Sequence, residues 1–237
     1  MTTPLYYQDA YLREFDAVVT GHAPDGAVIL DQTAFYPGGG GQPHDLGTLS
    51  ADGQTWPVER VKKSGGDILH YVQGEPPAVG TRVHGSLDWE RRYALMRTHT
   101  ALHVLCGLVW QVYGAQVTGG NMEPGQARMD FEFERMQQEL VREIEDRVTA
   151  ELATPRPVTS RILPREEAFQ IPDLIRTKIN LLPPGITEVR VVEIEGLDLQ
   201  ADGGTHVKNT GEIGRVRVVG YESKGKINKR LRVAVEP

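Results

Sequence analysis

Cysteine is almost missing from this sequence: Cys106 is the only one in 237 residues. No internal disulfide can form, and a zinc site built on several thiolates is excluded, so any structural metal must lean on His, Asp or Glu. No apolar run reaches the length of about 20 residues that a membrane-spanning helix needs. The N-terminal Met-Thr-Thr-Pro-Leu-Tyr-Tyr lacks the basic and apolar regions of a secretory signal, so the expected location is the cytoplasm. Positive charge is in deficit, with a formal net charge of −6, which argues against coating nucleic acid by bulk attraction. A phosphate-binding Gly-Lys-Ser/Thr signature is also missing.

What remains is a globular composition, 39% hydrophobic and 24% charged, at a length that favours two compact domains over one. Up to about residue 88 the chain reads as short β runs broken by Gly, Pro and Asp: residues 15–19, 27–30, 56–61, 68–72 and 82–87. That spacing predicts a small barrel or sandwich. From Trp89 the period becomes helical, with Leu95, His99, Leu102, Cys106, Val109 and Tyr113 on one face and Gly114 as a stop. A second helix is signalled by Met136, Leu140, Ile144, Val148 and Leu152, ending before Pro155. Strands are expected at 126–133, 158–163, 189–194, 214–221 and 231–235. The expected fold class is therefore α+β: a small β-barrel-like domain over residues 1–88, then residues 89–237 with helices packed on a mostly antiparallel sheet.

His99 and His103 stand four apart on the predicted helix, so both imidazoles project from one face and can reach one ion. With seven histidines, chance gives such a pair in roughly one sequence in five or six of this composition, so the pair alone decides nothing. Two satisfied core histidines would look the same. Further on, Asp202-Gly203-Gly204-Thr205-His206 offers a carboxylate and an imidazole on a loop, which would complete a four-ligand set of a kind zinc accepts. The competing reading is a turn between strands capped by His206. Gly38, Gly39, Gly40 and Gly41 run between prolines ahead of Gln42, either as a flexible hairpin tip or as backbone that approaches another surface closely. Lys224, Lys226, Lys229, Arg230 and Arg232 crowd into nine positions, as a charge-protected edge strand or as a phosphate-contacting strip.

Together these segments resemble the freestanding alanyl-tRNA editing proteins and the editing domain of alanyl-tRNA synthetase. The resemblance rests on Phe35 to Asp45, on Arg97-Thr98-His99-Thr100-Ala101-Leu102-His103, and on Asp202 to Val207 with Thr210-Gly211-Glu212-Ile213-Gly214; Arg128-Met129-Asp130-Phe131 also resembles a strand of that domain. It spans nearly the whole chain with its motifs in order. It implies a β-rich N-terminal domain, a zinc-dependent editing domain, and hydrolysis of tRNA for alanine mischarged with serine or glycine. With no nucleotide signature and too short a chain for a synthetase catalytic core, neither ATP nor amino-acid activation is expected. One position departs from the family pattern: Asp202 stands where a cysteine ligand is usual, and Cys106, three residues after His103, would have to be redirected by the fold to replace it.

The expected metal ligands are His99, His103 and His206, with Asp202 as a fourth ligand or as a group that orients His206. Discrimination between serine and alanine calls for a polar group that meets the serine hydroxyl. Gln42 and Thr118 are the candidates, with Gly203, Gly204 and Thr205 beside them in the substrate loop. The tRNA itself is assigned to Gly38–Gly41, Lys224, Lys226, Lys229 and Arg230. Two other functions share these features: a noncatalytic tRNA-binding module with a decayed metal site, and a zinc hydrolase of small acyl substrates.

Overall fold

The computed structural model describes residues 1–177 and 185–237 and divides into two compact units, Met1–Ala94 and Leu95–Pro237. The first contains β1 (Thr3–Pro4), β2 (Glu14–His22), β3 (Val28–Leu30), β4 (Gln32–Thr33), β5 (Gly47–Ala51), β6 (Gln54–Ser64), β7 (Asp67–Val72) and β8 (Arg82–Leu87). Six of these strands close into an antiparallel barrel in the order β2-β3-β7-β6-β5-β8, and the short β1 and β4 pair in parallel. The expected barrel is therefore present. Alternation drives it: Phe15, Ala17 and Val19 of β2 are buried while their neighbours face outward. Phe15 lies across its cross-strand partner Gly85, where a Cβ would stand 2.4 Å from the ring. β5 is not legible in the sequence because Gly47-Thr-Leu-Ser-Ala carries only Leu49 as a large apolar residue; its place comes from pairing with both β6 and β8.

Between β4 and β5 the chain makes the glycine-rich loop. Gly38, Gly39, Gly40 and Gly41 all have positive φ, from 58° to 135°, a run that only glycine sustains without strain. Gly39 and Gln42 exchange backbone hydrogen bonds at the tip, and Tyr36 and Asp45 close the base. The Asp45 carboxylate is wholly buried and accepts from the Arg92 guanidinium, which also donates to the carbonyls of Ala10 and Ala34. The loop is thus anchored at its base, not a loose tip.

Helix α1 (Trp89–Tyr113) starts in the first unit and ends at Gly114, whose φ of 63° terminates it. Its burial differs from the single apolar face expected. From Leu95 to Val109 nearly every side chain is buried, the polar Thr98, His99, Thr100 and His103 included. Such a helix must find partners for polar groups on all sides. Gly125 N–H donates to Thr98, Arg97 donates to the carbonyl of Ile213, and Gln111 donates to that of Leu197.

The second unit continues with β9 (Val117–Glu123), β10 (Gln126–Glu132), α2 (Gln138–Leu152), β11 (Val158–Pro164), the single-turn α3 (Arg165–Ala168), β12 (Glu188–Ile194), β13 (Asp198–Ala201), β14 (Arg215–Ser223) and β15 (Asn228–Glu236). One antiparallel sheet runs β14-β15-β10-β9 and another β11-β12-β13. Helix α2 begins two residues after Met136, and its buried stripe is Val141, Ile144 and Val148. Val141 replaces the expected Leu140 because a spacing of three then four follows the helical repeat more closely than successive fours. β9 and β13 were not expected, since Val-Thr-Gly-Gly-Asn-Met-Glu and Asp-Leu-Gln-Ala show too little apolar alternation. Among the described residues no helix is long and apolar enough to cross a membrane.

Candidate metal centre

Two elements of the second unit build the site. Helix α1 supplies His99 and His103, and the loop after β13 supplies Asp202 and His206. The four residues offer ligand atoms that all lie within 4.8 Å of one another, and the three histidines are at least 94% buried. Asp202 Oδ2 is 3.5 Å from His99 Nε2 and 3.9 Å from His103 Nε2, and Asp202 Oδ1 is 3.1 Å from His206 Nε2. The His99 and His206 rings stack at 4.2 Å, and His103 meets each of them edge-on.

The loop owes its shape less to its glycines than to polar contacts. Neither Gly203 nor Gly204 has positive φ. Instead Asp202 Oδ1 accepts from Gly204 N–H at 2.6 Å, an Asx turn, while Arg190 of β12 donates to the carbonyls of Asp202 and Gly204. Asp202 N–H returns a bond to the Arg190 carbonyl.

Each imidazole has an outer partner. His103 Nδ1 lies 2.9 Å from Asp198 Oδ2, and because a carboxylate only accepts, that nitrogen carries the proton. Thr100 gives its hydroxyl proton to the Met96 carbonyl, so its oxygen is left to accept, from Val207 N–H and from His206 Nδ1 at 3.2 Å. His99 hydrogen-bonds the backbone of Thr205. With these protons turned outward, the Nε2 atoms of His103 and His206 face the Asp202 carboxylate, the side from which each could offer a lone pair to a cation.

The electrostatics agree. Burial pushes His99 down to about 4. Burial also opposes charge on His103, but Asp198 and Asp202 outweigh it and raise that group to about 9. His206 is driven well below its usual value by burial and by the neighbouring His99. Asp202 is opposed by burial, yet the imidazoles around it hold its carboxyl well below the usual range. A buried anion that three imidazoles keep ionised is the potential a cation would meet. Cys106 is outside the cluster; burial pushes its thiol up and keeps it protonated.

The remaining candidates are scattered. Gln42 and Gly38–Gly41 belong to the first unit, with Gln42 buried. Thr118 is exposed on β9, and its hydroxyl donates to Asn228 of β15 at 2.8 Å. Thr205 is fully buried in the loop. Lys224 and Lys226 stand exposed in the turn between β14 and β15. Lys229 is buried, its ammonium donating to the carbonyls of Gly225 and Lys226, while Arg230 makes a two-pronged bond to Asp130 and a longer one to Glu222. The residues that sequence reasoning passed over are the outer partners Asp198, Thr100 and Arg190, together with Arg92. Thr100 lies inside the motif that carries His99 and His103, and Asp198 is a carboxylate four positions before Asp202; neither is assigned a role in the sequence reading.

Both the unit with the closed barrel and the α+β unit with the buried cluster contain stretches similar to tRNA synthetase families. Residues 10–91 match the family described as tRNA synthetases class II (A), and residues 189–232 match the threonyl and alanyl tRNA synthetase second additional domain. Among full-length relatives, the alanyl-tRNA editing protein AlaX-M of Saccharolobus solfataricus is 42% identical over 100% of both chains, and that of Methanosarcina barkeri 40% identical over 98% of both. The alanine–tRNA ligase of Thermococcus kodakarensis is 43% identical over 93% of this chain, which spans 24% of the ligase. The chain belongs to the alanyl-tRNA editing proteins of the AlaX-M kind.

Proposed function

We propose that this chain removes serine or glycine from mischarged alanine tRNA by hydrolysing the ester between the amino-acid carbonyl and the terminal ribose, at a zinc ion held by His99, His103, His206 and Asp202. Deacylation of tRNA is the activity of its family. The observation that carries the reading is the cluster itself: four potential ligand atoms within 4.8 Å, with the Nδ1 atoms of His103 and His206 turned outward to Asp198 and Thr100. Three nitrogens and one oxygen fit zinc in number and chemistry, and the single thiol lies elsewhere.

When bound, zinc supplies Lewis acidity toward a carbonyl or a water. The residues of the chain do the rest. His99, His103 and His206 would be neutral ligands, His103 giving up on binding the second proton that Asp198 and Asp202 favour on it; Asp202 provides the negative charge and, through its bond to Gly204 N–H, holds the loop. Burial of the histidines and of Thr205 limits water at the reacting ester. Within the unit that carries the cluster, Thr118 is the candidate for meeting the serine hydroxyl, with Gly203, Gly204 and Thr205 in the ligand loop. Lys224 and Lys226, exposed in one turn, and the backbone of Gly38–Gly41 would contact the tRNA; Lys229 and Arg230 serve by holding that turn and strand in place.

The test is to incubate the protein with alanine tRNA carrying serine, glycine or alanine, with and without chelator. Hydrolysis of the first or second, sparing alanine and lost on chelation, is the expected result. No hydrolysis of any would sink the reading, and equal hydrolysis of all would sink the proofreading role.

A further inference from the structure

The geometry points to Asp198 as a positioning residue of the cation site, one that fixes the tautomer and direction of His103 and strengthens it as a ligand; this rests on the reading of the cluster as a zinc site. Of the three imidazoles, His206 turns its outer nitrogen to a hydroxyl and His99 hydrogen-bonds a backbone group, whereas His103 alone is backed by a carboxylate. The Asp198 side chain has no exposure to solvent. Its Oδ2 accepts from His103 Nδ1 at 2.9 Å and from the Gln200 amide at 2.7 Å. Its Oδ1 faces the Arg176 guanidinium across 3.9 Å, and neither of those two atoms has a hydrogen-bond partner among the described residues.

A buried carboxylate with incomplete pairing costs stability, so packing alone is a poor reason for it to be an acid. An asparagine would hold β13 against α1 equally well. What an amide would not supply is negative charge behind the imidazole, which raises its basicity toward a cation. The backbone is built to allow this contact: Gly107 sits one helical turn beyond His103, and a Cβ there would stand 2.7 Å from the Leu197 carbonyl and 2.8 Å from Asp198 Cβ. The missing side chain lets β13 approach the helix closely enough for Asp198 to reach the ring.

The experiment is zinc competition against a chromophoric chelator for the wild-type chain, Asp198→Asn and Asp198→Ala, together with the melting midpoint of each metal-free protein and the visible spectrum of each cobalt-loaded one. Outer partners of metal-bound histidines contribute about 10- to 100-fold in affinity. Asp198→Asn, which keeps shape and an acceptor, should weaken zinc about 10-fold without lowering the metal-free melting midpoint. Asp198→Ala should weaken it further and alter the cobalt spectrum. If Asp198→Ala does not fold, Asp198→Asn decides alone. Wild-type affinity in the folded variants, or a loss of affinity only in proportion to lost folding, would overturn the inference while leaving the zinc site standing. Failure of the wild-type chain to bind zinc would overturn both.

Discussion

At the scale of single residues the histidines divide by what their protons face. His70 in β7 is fully buried; its Nδ1 donates to the Val28 carbonyl, and its Nε2 accepts from Thr33. Burial holds its pKa down at about 4 against an ordinary 6.5. A histidine depressed in the folded state binds fewer protons there than in the unfolded chain. Its stabilising effect is therefore full above pH 6.5 and is lost as pH falls toward 4, by roughly 3 kcal/mol in all. Urea midpoints measured from pH 7 to 4.5 should fall, and should fall less in His70→Gln; equal slopes would dismiss His70 as the source. Asp202 permits a cleaner separation of roles. Asp202→Asn keeps an acceptor for Gly204 N–H but loses the charge, whereas Asp202→Ala loses both. A true ligand should cost more than the ~10-fold expected of an outer partner. Zinc affinity unchanged in Asp202→Ala would remove it from the coordination sphere.

At the scale of elements, close approach and capping decide. Gly107→Ala inserts a methyl between α1 and the turn into β13, and overpacking of this kind costs about 1–3 kcal/mol. Chemical denaturation should register that loss, and zinc affinity should fall with it, because the same displacement draws Asp198 away from His103. A neutral substitution would mean that the helix and strand can part freely. In the hairpin of β14 and β15 the cations have different work. Lys224→Gln with Lys226→Gln should weaken tRNA binding and lower the salt slope by about 2, roughly 1 for each phosphate that a lysine no longer neutralises. Lys229→Met should instead destabilise the turn whose carbonyls it bonds, leaving the slope as it was. Filter binding across a salt series separates the two, and an altered slope in Lys229→Met would return that residue to the phosphate-binding set.

At the scale of the whole molecule, a ligand that binds only the folded chain stabilises it by mass action, about 4 kcal/mol at 1,000 times its Kd. Zinc should therefore raise the melting midpoint, and chelator should reverse the rise; a midpoint indifferent to both would speak against a cation at the cluster. Local pattern carried much of this fold. Alternation in β2, the helical period from Trp89 and the stop at Gly114 are each written within about ten residues, the range over which backbone periodicity is set. The pair His99 and His103 was legible for the same reason, and the loop carrying His206 became legible as one of several motifs in order. The sequence by itself determined which residues could be ligands. Which way they face was decided by tertiary structure: His103 meets Asp198 across 95 positions, and His206 meets Thr100 across 106. The same holds for Asp45 with Arg92 and for the carbonyls that occupy Lys229. A buried polar group takes whichever partner packing brings within about 3 Å, and no repeat along the chain encodes that meeting.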